Sequence, residues 1–343
     1  MLALVKTAKG PGLLELKDVP EPAVRDDEVK INVKACGICS TDLLIYHDRI
    51  DYCPPVILGH EISGVVVEVG SRVKGIKVGD RVAADSHGYY CNTCGFCQRG
   101  LPRYCLERTM VGRHVDGGFA EYFVTKAAYV TVLGEQIDFV SGAMTQPLFK
   151  TVHCLIEHCD LKAGTTVVVL GSESTSLLAL MVAKAAGATV YLVDFVASEQ
   201  HRLARELGAD QIMLIEQEDV KEQVMDLTRG LGVACVIECS GTKEGVALGL
   251  KLLEKRGRLL LQSHGYPGNT PVDLTYAVAN GIEIIGSSGT TWTAKQKALA
   301  LMQSRKIQPE KLVSQVLPLT SWEAGFALME KNASAGIILN PSP

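Results

Sequence analysis

Cys91-Asn92-Thr93-Cys94-Gly95-Phe96-Cys97 is followed after seven residues by Cys105, and this CxxCxxC–C spacing constrains the chain more than any other feature. Zinc takes four ligands at the corners of a tetrahedron, and each tight CxxC turn aims two thiolates at one point. Gly95 and Gly100 let the backbone curl around such an ion. Four cysteine ligands leave no position for water or substrate, so the zinc predicted here staples a loop and does no chemistry. A redox CxxC needs no third and fourth thiol, and an iron–sulfur cluster is the rival occupant.

The 343 residues, 47% of them hydrophobic, are enough for two domains with separate cores. A net charge of -4 gives no basic surplus for a phosphate backbone or an anionic bilayer, which argues against nucleic acid and membrane partners. Met1 to Glu15 reads as a short amphipathic strand and turn rather than a signal peptide. The most apolar run, Leu177 to Ala186, is a buried helix too short to span a bilayer. Eleven unevenly spread cysteines, in a chain too large to need disulfide staples, point to a reducing compartment, the cytoplasm.

From Leu2 to about Val132 the chain carries short β-rich runs, such as Val29 to Ala35 and Ile62 to Val69, broken by Gly and Pro. From Thr165 the pattern becomes apolar strand, apolar helix, apolar strand: Thr166 to Leu170, Leu177 to Ala186, Val190 to Val193. Helices near Val220 to Thr228 and Val246 to Leu253 alternate with strands Ala234 to Cys239 and Arg258 to Gln262. The fold class is α/β, a β-rich domain followed by a doubly wound parallel sheet covered by helices. Helices Ala294 to Met302 and Ser321 to Glu330 then lead to a terminal strand, Gly336 to Leu339.

A second cluster precedes the cysteine lobe: Cys39-Ser40-Thr41-Asp42, then Gly59-His60-Glu61. A thiolate, an imidazole and a carboxylate form the mixed set expected where zinc keeps one position open. The order CGICSTD (Cys36 to Asp42), GHE (Gly59 to Glu61), VGDRV (Val78 to Val82), the four-cysteine lobe, GGFAEY (Gly117 to Tyr122) and a βαβ unit resembles the zinc-dependent medium-chain dehydrogenase/reductase family. The sorbitol and threonine dehydrogenase branch is the closest in look, and the match runs nearly end to end.

This resemblance implies a GroES-like catalytic domain over 1–152, a Rossmann NAD(P)-binding domain over 153–289, a segment over 290–343 returning to the first, and a cleft between domains. It implies two zinc ions per chain, with Cys39 and His60 as ligands of the catalytic one and Thr41 as the hydroxyl that takes the alcohol proton. Glu61 would be a direct ligand or one that exchanges with water. The implied reaction transfers a hydride between a small secondary alcohol and its ketone through NAD, with NADP also possible, in a homodimer or homotetramer. Ile282 to Ser287 would pair across the subunit interface, and loops Tyr46 to Pro55 and Ser288 to Thr293, with Tyr46, Tyr52 and Trp292, would wall the pocket.

Three positions depart from the family pattern. Gln146 stands where an acid or a cysteine is usual, and a carboxamide is the weaker zinc ligand. Leu44 occupies the place of a proton-relaying histidine, which Tyr46 or His47 would replace only if the loop turned them inward. The phosphate loop reads Gly171-Ser172-Glu173-Ser174-Thr175-Ser176, keeping only the first glycine of GxGxxG. Glu173 adds bulk and a like charge where the backbone should approach the pyrophosphate, which predicts weakened dinucleotide affinity, partly offset by the hydroxyls of Ser174, Thr175 and Ser176. Asp194, 23 residues after Gly171, takes the acidic position that binds the adenosine ribose, with His201 and Arg202 nearby to keep NADP in play. The expected function is a zinc-dependent oxidoreductase of a polyol, cyclitol or amino alcohol. The alternative is a catalytically impaired relative that keeps the fold and structural zinc as a binding or partner subunit.

Overall fold

A computed structural model describes residues 1–159, 161–263, 265–331 and 336–342. The chain opens with strands β1 (Leu2–Lys6), β2 (Leu14–Asp18) and β3 (Glu28–Gly37), then helix α1 (Ser40–Tyr46) and strands β4 (Val56–Ile57), β5 (Glu61–Val69), β6 (Arg81–Ala84) and β7 (His87–Tyr89). Helix α2 (Gly95–Gln98) lies in the cysteine lobe, followed by β8 (Thr109–Met110), β9 (Tyr122–Lys126), β10 (Val130–Val132) and helix α3 (Phe139–Ala143). Along β3, Val29, Ile31 and Val33 are fully buried while Lys30, Asn32 and Lys34 face outward, the two-residue period of a half-buried strand. These inward residues join Leu4, Ile62, Val66 and Phe119 in one core.

Helix α4 (Thr145–Val152) continues as one turn of π-helix over His153–His158. Strand β11 (Thr166–Leu170) is buried almost throughout, as befits a parallel strand covered on both faces. There follow α5 (Ser174–Ala185), β12 (Thr189–Asp194), α6 (Gln200–Glu206), β13 (Gln211–Leu214), α7 (Val220–Leu227), β14 (Val233–Glu238), α8 (Lys243–Leu252), β15 (Leu253–Leu261), α9 (Leu274–Asn280), β16 (Glu283–Gly286) and α10 (Trp292–Gln303). The chain ends with β17 (Gln315–Pro318), α11 (Trp322–Glu330) and β18 (Ile337–Asn340).

Among the described residues the strands form four sheets. One has order β2-β1-β4; a second has order β10-β6-β5-β3-β18-β17, with β9 also on β3; β7 and β8 form a ribbon. The fourth, order β13-β12-β11-β14-β15-β16, is parallel throughout. Renumbered from β11 this is 3-2-1-4-5-6, the dinucleotide-binding order, which reverses direction between β11 and β14 and leaves a crevice at their carboxyl ends.

Two units result: Met1–Gln146 with Gln308–Pro343, and Pro147–Ile307. The sequence places the boundaries at 152 and 289, and the structure moves both. Lys150 and Thr151, in the second half of α4, accept or donate hydrogen bonds with Gln262 just past β15, which draws α4 into the second unit. Helix α10 stays in that unit too, because its N-cap Thr291 donates to Glu157 at 2.7 Å. The chain re-enters the first unit only at Gln308, where β18 pairs with β3 through Ile338–Gly37 and Leu339–Cys36.

Candidate functional site

The mixed metal set is assembled by two strand ends and one helix start. Cys39 is the N-cap of α1, and its N–H donates to Asp42 Oδ2 at 2.9 Å. Asp42 Oδ1 accepts the N–H of Gly59 at 3.2 Å and lies 3.7 Å from His60 Nδ1. A single fully buried carboxylate therefore fixes the backbone of one proposed ligand and the ring of another. Glu61 opens β5 opposite Gly37, where a Cβ would come 2.2 Å from Glu61 Oε2, so only glycine leaves room for that carboxylate. Gly59 holds φ +87, and a side chain there would strike Phe119 at 2.6 Å.

Cys39 Sγ, a ring nitrogen of His60 and a carboxylate oxygen of Glu61 all lie within 4.8 Å of one another. Burial pushes the Cys39 thiol up, but the charge and hydrogen bond of His60 pull it further down, to about 7. Burial lowers the basicity of His60, and the charges of Asp42 and Cys39 more than reverse that. Burial and the neighbouring Cys39 push the Glu61 carboxyl well up. Three acid–base groups share one buried spot in which each charge depends on the next, and the donor set of thiolate, imidazole and carboxylate fits zinc with a position to spare. Thr41 Oγ1 lies 3.8 Å from Cys39 Sγ. Asp42, quoted in the CGICSTD motif without a role, is the residue that sequence reasoning missed. Its signal is the spacing of a capping box, an acid three residues past the N-cap.

Other candidates fall elsewhere. Gln146 donates to Ser86 Oγ at 3.2 Å, two residues past β6, the strand that pairs with β5. Tyr46 packs edge-on against Trp322 and Phe326, and His47 pairs with Glu330 of α11 at 2.6 Å, so neither turns toward Cys39. Tyr52 is buried, with its hydroxyl donating to Asp48 at 2.7 Å, and serves packing. Trp292 is exposed at the start of α10.

In the cysteine lobe, Cys91, Cys94, Cys97 and Cys105 converge so that all four sulfurs lie within 4.8 Å. Cys91 Sγ is 4.0 Å from Cys97 Sγ and 3.4 Å from Cys105 Sγ. Zn–S bonds of about 2.3 Å give tetrahedral edges of about 3.8 Å, so the spacing suits a zinc ion. Asn92 at φ 58 and Gly100 at φ +73 make the turns. The N–H of Thr93 and of Cys94 lower the Cys91 thiol to about 6, whereas burial and its neighbouring thiols raise Cys97 to about 12. One thiolate in such a cluster holds protons on the others until a cation neutralises them.

At the carboxyl end of the parallel sheet, Gly171 follows β11 at φ +102 and Glu173 is the N-cap of α5. The first turn of this twelve-residue helix leaves the N–H groups of Ser174 and Thr175 without intrahelical partners, a terminus whose dipole suits an anion. Partial burial and the charges of Asp194 and Glu238 raise the Glu173 carboxyl. Asp194 ends β12, and its Oδ2 accepts from Ser172 Oγ at 2.5 Å and His201 Nε2 at 2.9 Å. Arg202 is not brought to this group: its side chain is 79% exposed and pairs with Glu206 one turn on. The loop, helix terminus and strand-end acid fit a dinucleotide. Among the described residues no helix is long and apolar enough to cross a membrane.

The pattern of the alcohol dehydrogenase GroES-like domain matches residues 25–135, and that of the zinc-binding dehydrogenases matches residues 175–304. The chain is 32% identical to sorbitol dehydrogenase from Halalkalibacterium halodurans, over 99% of both chains. It is 34% identical to L-threonine 3-dehydrogenase from Bacillus velezensis, again over 99% of each. A zinc-binding dehydrogenase from Sinorhizobium meliloti, solved bound to NADP, superposes with a TM-score of 0.92 at 29% identity, covering 99% of both. No finding favours the impaired binding-subunit alternative. With these matches added to the two cysteine-bearing metal sets and the parallel sheet, the chain belongs to the zinc-dependent medium-chain alcohol dehydrogenase family and is an NAD(P)-dependent oxidoreductase of alcohols.

Proposed function

We propose that this enzyme oxidises a secondary alcohol group of a polyol, cyclitol or amino alcohol to the ketone. The observation that carries the reading is the buried convergence of Cys39, His60 and Glu61, a set that does not close its own coordination sphere. When bound, zinc supplies a Lewis acid there and the nicotinamide accepts the hydride. Cys39 and His60 hold the metal, Glu61 completes its shell or yields to substrate, and Gln146 is at most a weak neutral ligand. Thr41 accepts the hydrogen of the alcohol hydroxyl and passes its own on to water, so the proton leaves to solvent by relay. Asp42 keeps Cys39 and His60 in register.

Cys91, Cys94, Cys97 and Cys105 hold the structural zinc. Gly171, Ser174 and Thr175 at the start of α5 face the pyrophosphate, and Asp194 faces the adenosine ribose. Strand β16 is an edge strand whose outer side pairs with nothing among the described residues, which supports a homodimer or homotetramer built by extending the sheet. Eleven cysteines without a disulfide support a reducing location, the cytoplasm.

Metal analysis and one variant test this reading. The purified chain should hold about two zinc ions, and Cys39→Ser should abolish turnover of polyols and amino alcohols while leaving the circular dichroism spectrum unchanged. Full activity in that variant would overturn the assignment. A panel of polyols, cyclitols and amino alcohols, each offered with NAD and with NADP, identifies the substrate.

A further inference from the structure

The acid that should grip the adenosine ribose is already engaged. Asp194 Oδ1 accepts the N–H of Phe195 at 2.8 Å, and Oδ2 accepts both Ser172 Oγ at 2.5 Å and His201 Nε2 at 2.9 Å. A carboxylate offers about four acceptor sites. Three are taken, and one remains where two ribose hydroxyls would otherwise be held.

The imidazole is fixed in this role. His201 is 6% exposed, and its Nδ1 accepts the N–H of Ser198 at 3.3 Å, so Nε2 carries the hydrogen directed at Asp194. Two side chains thus donate to the carboxylate, and Ser198 Oγ, 3.2 Å from Ser172 Oγ, backs the serine. A carboxylate whose lone pairs are occupied by neutral donors has fewer acceptors left for the ribose hydroxyls, and the donor dipoles beside it lessen its repulsion of a phosphate monoester. Arg202, the nearby cation, does not serve this purpose, since it pairs with Glu206 in solvent.

We infer that His201, with Ser172, is the cofactor-selectivity element of this enzyme, occupying Asp194 so that the site accepts the 2′-phosphate of NADP as well as the free ribose of NAD. The inference rests on the dinucleotide reading of the second unit and deepens it. Nothing in it depends on the metal or on turnover.

The test is equilibrium titration of NADH and NADPH fluorescence on the full-length protein. In the unsubstituted chain the two dissociation constants should agree within about tenfold. His201→Leu should raise the NADPH-to-NADH ratio at least about tenfold, by weakening NADPH and tightening NADH, because Asp194 loses a donor that screens it and regains an acceptor for the ribose. Ser172→Ala should move the ratio the same way by a smaller factor, and serves as the second probe if the leucine variant fails to fold. In an Asp194→Asn background the His201→Leu effect should vanish. A ratio unchanged within twofold in both folded variants, or an unsubstituted chain that already rejects NADPH by more than a hundredfold, overturns the role of His201. If neither dinucleotide binds, the failure belongs to the dinucleotide reading itself.

Discussion

Asp42 governs the mixed metal set without being one of its proposed ligands. It accepts from the Cys39 and Gly59 backbones and faces the His60 ring, so Asp42→Asn keeps the shape and removes the charge that orients the imidazole. Carboxylates behind a metal-bound histidine are worth about 10- to 100-fold in metal affinity. We expect that loss at this site alone, read by chelator competition, with the cysteine-lobe zinc retained. Equal retention of both ions in the variant would show that Asp42 is only a helix cap. Glu173 yields a prediction of the opposite sign. Glu173→Gly removes bulk and a negative charge from the start of α5 and should tighten NADH about fivefold, roughly 1 kcal/mol. The same change should leave thermal stability at neutral pH unchanged or slightly higher, because burial and the charges of Asp194 and Glu238 disfavour the ionised Glu173, which caps no N–H of α5. The two cysteine-bearing sets were legible because metal chemistry fixes residue type and spacing. The engagement of Asp194 by His201 was not, since seven residues separate them along the chain and only the fold of the 195–200 turn brings the ring back.

Elements were legible in proportion to their burial. Strands β3, β5, β11, β12 and β14 announce themselves by alternation or by unbroken apolar runs, and helix α5 by being apolar all round. Strand β13 and helix α6 went unrecognised: β13 is a four-residue polar-led edge strand, and α6 is a seven-residue helix rich in charge. Their structure comes from the neighbour they pair with rather than from their own pattern. The π-helical turn His153–His158 is likewise invisible to periodicity, yet it supports a testable link. Glu157 accepts from His153 at 2.6 Å, from Thr291 at 2.7 Å and from Thr293, joining the turn to the start of α10. Burial alone would raise the Glu157 carboxyl; the hydroxyls of Thr293 and Thr291 and the His153 ring outweigh it and lower it to about 2. A depressed carboxyl stabilises the fold above its ordinary value of 4.5 and loses that contribution as pH falls from there toward 2. The urea midpoint should therefore drop more steeply between about pH 5 and pH 3 in the natural chain than in Glu157→Gln. Parallel curves for the two would remove Glu157 from the acid response.

At the scale of the whole molecule, the first unit is discontinuous and the second is not. Residues 147–307 carry a complete parallel sheet and their own core, within the usual size of an independent domain. The first unit instead depends on its returning tail. Strand β18 covers the edge of β3, and on α11 Trp322 and Phe326 pack against Tyr46, with Phe326 also meeting Phe119. Losing one such aromatic costs about 3–5 kcal/mol, against a total stability of about 5–15 kcal/mol for an ordinary domain. Removing the strand and both aromatics together exceeds what the first unit can tolerate. Deleting residues 308–343 should leave the first unit unfolded, with the thiols of Cys36 and Cys39 open to labelling by a maleimide. The isolated 147–307 segment should melt in a single cooperative transition and still bind NADH by fluorescence titration. If the truncated chain keeps Cys36 protected, the tail only decorates a core that β1, β3 and β5 complete by themselves. If the 147–307 segment is unfolded, the second unit draws its stability from the first.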